Sequence, residues 1–313
     1  MEMTPSMLFV RDFRAVTGGH IKFSHYLEHA ALSGLVRPWL YLVEGGADPK
    51  GLFDVAGVRR LDRLGPADSY FVAGLDWRTL DRAGIDMSGK VVVNLIQGVR
   101  HGHADDPRYP YLSRPAFRIC SSQGVADALV ASGRVNGEMV VIPNGVDLVD
   151  AQTIVPAPKP GTLFIGGLKN PDFARALAER LHARLQIDLC CDLVPRGEFL
   201  ARLGRSSLAV LLPYPAEGYF LPAVEAMALR VPTVTADCIG NRGFCVHEQS
   251  CLLADYTIDS MAAAVLRLAD DPFLCERLRQ GGQVMAAGQT LASERRQFQS
   301  HLARIFEARH ASL

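Results

Sequence analysis

Glu217 and Glu225 bracket the stretch Gly218-Tyr219-Phe220-Leu221-Pro222-Ala223-Val224. An ionised carboxylate accepts strong hydrogen bonds at two oxygens, so a pair of them suits a ligand rich in hydroxyls, such as a sugar or a ribose diol. Pro222 stands where proline is favoured, at the first position of a helix, and the residues before it read as a turn. A loop feeding a helix start offers unpaired backbone N–H groups and the positive end of the helix dipole, which together hold phosphate or sugar oxygens. Two carboxylates beside such a helix start make sense for one ligand that carries both phosphate and hydroxyls. Without its context the same segment is an exposed helix start with solvated glutamates and an apolar face of Leu221, Val224 and Met227.

Other reactive residues carry less. Cys238, Cys245, His247 and Cys251 lie close in sequence, but their spacing matches no standard zinc pattern, and buried or loop thiols are expected instead of a metal site. His101 and His103 sit in a polar loop after Gln97, where a histidine is more often a surface group than a catalytic one. The chain has no P-loop, G-x-S-x-G, H-E-x-x-H or G-x-G-x-x-G, so ATPase, esterase, zinc-protease and dehydrogenase chemistries have no residues to stand on.

The scaffold for these residues is legible in the alternation of short apolar, β-branched runs with longer helix-like segments, the mark of βαβ units around a parallel sheet. In the first half, strands are expected near 7–11, 40–43, 69–72, 90–95, 117–121 and 139–142, with helices such as 23–33 and 124–132 between them. The stretch 151–161, AQTIVPAPKPG, has three prolines and no apolar period, and reads as an exposed linker. Strands restart near 162–165, 187–191, 207–212 and 232–236. The helix opened by Pro222 runs through Ala228 and stops before Val231, because Pro232 disfavours a helical predecessor. A final helix over 292–308 carries Phe298, Leu302, Ile305 and Phe306 on one face. The expected organisation is a first domain 1–150, the linker 151–161, a second domain 162–291 and a terminal helix, 292–313, packing back on the body. Facing parallel sheets bind ligands at the carboxyl ends of their strands, which points to a cleft between the domains.

Composition narrows the ligand. At 313 residues the chain exceeds one ordinary domain, and 49% hydrophobic with 21% charged residues is a globular balance. Lys plus Arg and Asp plus Glu both number 33, so no global field draws the protein to nucleic acid or anionic lipid. Seven cysteines, with Cys190 and Cys191 adjacent and no C-x-x-C, read as reduced thiols. The longest apolar stretches, 90–96 and 208–212, fall far short of the roughly 20 residues that span a bilayer, and 1–14 lacks a signal-peptide pattern. A cytoplasmic protein with no transmembrane segment is expected, with transient membrane association left open.

Glu217-Gly218-Tyr219-Phe220-Leu221-Pro222-Ala223-Val224-Glu225-Ala226-Met227-Ala228, followed by Arg230-Val231-Pro232-Thr233-Val234, resembles the E-x7-E motif of retaining glycosyltransferases similar to glycosyltransferase family 4. That family typically reads E-G-F-G-L-P-x-x-E-A-M-A and then G-x-P-V-V. Ile142-Pro143-Asn144-Gly145-Val146-Asp147, preceded by Cys120-Ser121-Ser122, is similar to the segment closing the family's first domain, although Asn144-Gly145 alone is simply a turn. Thr17-Gly18-Gly19 after the first strand looks like its glycine loop, where glycine lets backbone approach the donor phosphates or the acceptor. The resemblance covers most of the chain and is most specific in the second half. It implies an α/β protein of GT-B fold, two Rossmann-like doubly wound parallel-sheet domains facing a central cleft, the first for the acceptor and the second for the donor. It implies a metal-independent, hexosyltransferase-like enzyme of polysaccharide or glycoconjugate biosynthesis, with no cofactor beyond its co-substrate, a nucleoside-diphosphate sugar. The sugar would pass with retention to a hydroxyl of a glycan, lipid-linked or small-molecule acceptor.

The same resemblance assigns roles. Glu217 contacts the donor sugar, the backbone from Gly218 through Tyr219 to Leu221 meets sugar or phosphate, and Glu225 holds the nucleotide ribose. Phe164-Ile165-Gly166-Gly167-Leu168-Lys169-Asn170 departs from the family by placing Gly167 where an arginine neutralises the leaving diphosphate, while Lys169 keeps the lysine role. Arg242, in the loop Gly240-Asn241-Arg242-Gly243, is the candidate for the missing charge. Phe220 replaces the second glycine of E-G-F-G; it either walls the sugar pocket and narrows donor choice, or faces the core. Gln97 stands nearest the point where many relatives carry a histidine, so His101, and after it His103, are the candidates for that catalytic group. Gly167 and the displaced histidine motivate a competing reading, a catalytically weak or inactive sugar-nucleotide-binding protein. A second, a metal-dependent single-domain transferase using Asp105-Asp106, lacks a strand before the pair.

Overall fold

The computed structural model describes residues 4–13, 18–43, 48, 51–147 and 158–310. Thr17 of the expected glycine loop and most of the expected linker, 151–157, lie outside the described residues. The chain forms two compact units, one of residues up to Pro143 together with those from Ala292 onward, the other Asn144–Leu291.

In the first unit, β1 (Ser6–Arg11), α1 (Gly18–Ala31), β2 (Arg37–Leu42), β3 (Arg59–Arg60), β4 (Ser69–Ala73), α2 (Asp76–Arg82), β5 (Val91–Ile96), β6 (Phe117–Cys120), α3 (Gln123–Ala131) and β7 (Met139–Val141) follow one another. The seven strands pair in parallel in the order β3-β2-β1-β4-β5-β6-β7, so the strand order reverses direction between β1 and β4. β1 and β4 are buried along nearly their whole length, as a parallel sheet covered on both faces requires. Phe9 of β1 stacks on Phe71 of β4 at 4.5 Å and meets Phe23 of α1 edge-on at 5.6 Å, which ties helix to sheet.

The second unit runs through β8 (Lys159–Gly166), α4 (Pro171–Leu181), β9 (Gln186–Cys190), α5 (Arg196–Arg205), β10 (Ser206–Leu211), α6 (Leu221–Ala228), β11 (Thr233–Thr235), β12 (Leu252–Leu253), α7 (Ile258–Asp270) and α8 (Pro272–Ala287). Its sheet is also parallel throughout, in the order β12-β11-β10-β8-β9, with the reversal between β8 and β10. Lys159 pairs with Ser206, so residues 159–161, expected in the linker, belong to β8. Apolar clusters line both faces of this sheet, one under α4, α7 and α8 and the other around α6. The α6 helix ends where Pro232 requires: Leu229 caps it, and Arg230 follows in the left-handed region at φ 60°, a conformation that glycine adopts with less strain.

The last helix, α9 (Leu291–His310), returns the chain to the first unit, where Phe298, Leu302 and Phe306 complete the core. Phe298 meets Tyr26 edge-on at 5.1 Å. Buried Lys22 of α1 donates to buried Glu294 of α9, a pairing that lets both charges leave water. Among the described residues no helix is long and apolar enough to cross a membrane.

Candidate active site

Because β8, β9 and β10 are parallel neighbours, the loops that follow them leave one edge of the second sheet, and the β8–β10 pair is its switch point, the place where open α/β sheets bind ligands. After β8 the chain turns through 167–170 into α4, whose start is fixed by Asn170: its side chain accepts from Phe173 N at 3.3 Å, and Pro171 opens the helix. Lys169 is the residue this turn projects.

The loop after β10 is held by the loop after β11. Ile239 N donates to the Pro215 carbonyl and Phe220 N to the Gly240 carbonyl, both at 3.1 Å. A Cβ on Gly240 would lie 2.5 Å from Tyr219 N, so only glycine permits this backbone approach. Asn241, buried, locks the second loop by accepting from Cys238 N at 3.0 Å and donating to the Ala236 carbonyl at 2.9 Å. The Tyr219 hydroxyl donates to Gln289 at 2.7 Å, and Gln289 in turn accepts from Val146 N through its carbonyl at 2.8 Å. Gly145 backs so closely on Thr290 that a Cβ would stand 2.4 Å from its carbonyl oxygen, which gives Asn144-Gly145 a packing reason beyond a turn.

Two ion pairs define the chemistry. Lys169 donates to the Glu217 carboxylate, and its ammonium lies 5.6 Å from the centre of the Tyr214 ring and 5.3 Å from that of Phe220. The same Glu217 oxygen accepts from Tyr214 N at 3.3 Å. One turn into α6, Glu225 is 4% exposed and pairs with Arg196, whose side chain is 37% exposed. Sequence reasoning missed Arg196. A signal existed: a cation at the first position of a helix opposes the helix dipole, and so asks for a local carboxylate.

Several expected site residues stand elsewhere. Phe220 is 2% exposed and belongs to the buried cluster that also holds Leu211, Ala223 and Val224, so its ring is part of the core and does not stand as an open wall of a sugar pocket. Of the amides expected to meet a ligand, that of Phe220 donates to Gly240 and that of Leu221 to the Tyr219 carbonyl at 3.2 Å. Arg242 projects into solvent and pairs with Asp237, with Nε–Oδ1 at 3.0 Å and Nη2–Oδ2 at 2.6 Å. Gly167 has no room for an arginine: a Cβ would fall 2.2 Å from the Ala174 Cβ and 3.2 Å from the Cys191 sulfur. The cysteine cluster behind the loop consists of buried thiols, and burial pushes Cys238 up to about 12. Among the described residues no group of three or more His, Cys, Asp or Glu is placed to hold a metal ion.

In the first unit, Gly18 opens α1 with free space beside it, and the Gly19 carbonyl accepts from the Gln97 side chain at 3.2 Å, which joins two of the expected elements. At the switch point of this sheet Arg11 bonds Asp76 at 3.1 Å, a pair that carried no sequence signal; burial raises Asp76 to about 6 against the pull of Arg11. His101 is 5% exposed, in a 3-10 turn pressed on α3, and burial together with the Arg108 charge lowers its pKa to about 3. Asp106 is held down at about 2 by Arg108, which donates to both of its oxygens at 2.6 and 2.5 Å, so this carboxylate is already satisfied by a guanidinium.

Two doubly wound parallel sheets, of order 3-2-1-4-5-6-7 and 2-1-3-4-5, with charged residues converging on the switch point of the second, define the GT-B class of fold. Solved structures of the same fold include sucrose-phosphate synthase from Thermosynechococcus elongatus, at 14% identity and TM-score 0.72 over 97% of this chain and 99% of that one. HepE of Anabaena, solved in complex with UDP-glucose, matches at 13% identity and TM-score 0.73 over 96% and 100% of the two chains. A glycosyltransferase from Rickettsia africae matches at 11% identity and TM-score 0.66 over 96% and 98%. At such identities the likeness is one of fold. Residues 148–285, most of the second unit, match the family Glycosyl transferases group 1. Comparison with curated protein sequences returned no match.

Proposed function

We propose that this protein transfers a sugar from a nucleoside-diphosphate sugar to an acceptor hydroxyl, with retention at the anomeric carbon and without a metal. The observation that supports the reading is the Lys169–Glu217 pair between the loops that follow β8 and β10, with buried Glu225 one turn into the helix that the second loop opens. In this reading the bond from the anomeric carbon to the diphosphate breaks, the acceptor oxygen takes its place, and the acceptor proton leaves with the diphosphate. Lys169 and the positive end of α6 stabilise the charge that grows on the diphosphate, the kind of preorganised electrostatic stabilisation that contributes most in such reactions. Glu217 accepts from the donor sugar and Glu225 from the ribose. HepE was solved with UDP and with UDP-glucose, which supports a uridine diphosphate hexose as the first donor to test.

The acceptor is a glycan, lipid-linked or small-molecule hydroxyl, and the first unit is its expected home. Seven free thiols support a cytoplasmic setting. The absence of space for an arginine at Gly167 favours a second reading, a sugar-nucleotide-binding protein of weak turnover. A thermal-shift screen with UDP, GDP, dTDP, ADP and CMP separates the outcomes, since a ligand at a hundred times its dissociation constant stabilises by about 2.7 kcal/mol. Release of free sugar from the matching donor in excess chelator supports the enzyme, and the anomeric configuration of a transferred product tests retention. A nucleotide response without any sugar release supports the binding protein, and no response to any nucleotide removes both.

A further inference from the structure

The charge that Gly167 cannot supply has a candidate source in the same sheet edge. We infer that Arg196 is a nucleotide-exchanged residue: it holds Glu225 in the free protein and passes to the diphosphate when a nucleotide binds. This inference rests on the nucleotide-binding reading above.

Exclusion and position together lead to it. The Cβ clash with Ala174 excludes a side chain at Gly167, and Arg242 is tied to Asp237. Other arginines of this edge and its helices are tied as well, Arg175 to Asp172 and Arg202 to Asp188. Arg196 differs, because its partner is the carboxylate assigned to the ribose. It sits at the first position of α5, beyond the loop that follows β9, and β9 is the sheet neighbour of β8, from which Lys169 projects.

The exchange follows from desolvation. Glu225 is almost fully buried, and a buried carboxylate without a partner is costly, so in the free protein it needs a cation or hydrogen-bond donors. Two ribose hydroxyls would meet that need on binding. Arg196, more than a third exposed, would then hold an uncompensated charge close to a ligand whose diphosphate is attached to the same ribose. A guanidinium suits that partner, because its planar fork bonds phosphate oxygens in pairs. The ion pair with Glu225 also keeps Arg196 at the site before any ligand arrives.

The test compares UDP with uridine, titrated calorimetrically into the full-length protein and its Arg196→Ala and Arg196→Lys variants. If another nucleoside diphosphate gives the largest thermal shift, it and its own nucleoside take their place. Loss of a hydrogen bond to a charged group corresponds to roughly 10-fold to 100-fold in affinity. Arg196→Ala is expected to lose about that factor for UDP while uridine binding holds or strengthens, since the nucleoside no longer displaces a cation from Glu225. Arg196→Lys is expected to fall between, and the salt dependence of UDP binding to flatten in Arg196→Ala. Equal changes for UDP and uridine, or none for either, overturn the exchange. Arg196→Lys carries the same comparison if Arg196→Ala does not fold. A wild-type protein that responds to no nucleoside diphosphate overturns the nucleotide reading itself, which is a different result from a wild type that binds UDP and a variant that loses UDP and uridine in parallel.

Discussion

The ammonium of Lys169 lies 5.3 Å from the centre of the Phe220 ring while it bonds the Glu217 carboxylate, so one aromatic residue of the core supports the charge at the mouth of the site. A cation over an aromatic face is held by the ring quadrupole, and the ring here is buried within the apolar cluster around α6. The lysine is thereby aimed at the switch point before any ligand arrives. Replacing Lys169 with alanine is expected to lower kcat more than it weakens nucleoside diphosphate binding, because charge on the diphosphate grows as the sugar bond breaks. A rise in KM with kcat unchanged would mean that Lys169 binds donor and transition state alike.

Phe220→Ala is expected to cost about 3–5 kcal/mol of stability, as truncation of a buried aromatic does. Urea denaturation measures it. The donor ranking of the variant should match that of the wild type, since the ring is buried in the core cluster. A stable variant with a broadened donor range would return Phe220 to the pocket wall.

Glu225→Ala removes the ribose acceptor and should weaken nucleotide binding by roughly 1.5–3 kcal/mol, the worth of hydrogen bonds to a charged group. Calorimetric titration with UDP and with uridine reads the change. Unaltered affinity for uridine, which has no diphosphate to engage the freed Arg196, takes Glu225 out of the site if the variant is folded.

What the sequence made legible follows a physical pattern. The alternation of apolar strands and helical segments revealed both parallel sheets, because strands buried on two faces must be apolar along their length. The two-residue strands β3 and β12 were missed, since nothing that short carries a period. Pro222 and Pro232 bounded α6 well because proline acts on the backbone locally. Lys169 and Glu217 are each named through motif resemblance, but nothing in the sequence joins them as an ion pair. Arg196 on Glu225 was not legible either, for 29 positions separate them and only the packing of α5 beside α6 joins them. The inward turn of Phe220 was equally hidden: a position in a loop says where a residue falls in the chain, not which way the loop faces.

His101 should leave a mark on stability against pH. Its pKa falls from the ordinary 6.5 to about 3 on folding, so between those values the unfolded chain binds the proton and the native protein does not. Stability from this group is complete above about 6.5 and is lost progressively as the pH falls toward 3, where the folded-state group titrates. Unfolding free energies measured from pH 7 to pH 4 should therefore fall less steeply in His101→Gln than in wild type. An identical slope would show that the buried ring does not resist protonation.

Gly167 is one of the places where the chain departs from the family it resembles, and its surroundings predict that restoring the arginine will fail. The obstacle is the first side-chain atom: the Ala174 Cβ occupies the position 2.2 Å from where a Cβ on residue 167 would stand, and Ala174 is buried on α4. Gly167→Ala should already cost about 1–3 kcal/mol, as overpacking of a filled interior does. Gly167→Arg should cost at least as much and bring no gain in UDP affinity, since the turn that aims Lys169 would be displaced with α4. Pairing Gly167→Ala with Ala174→Gly vacates the contested space, and the two changes should be less damaging together than their sum, by roughly 0.5–3 kcal/mol as contacting residues show. Urea midpoints of the single and double variants read both terms. If Gly167→Ala alone is as stable as wild type, the space exists after all, and the missing arginine needs another explanation than steric exclusion.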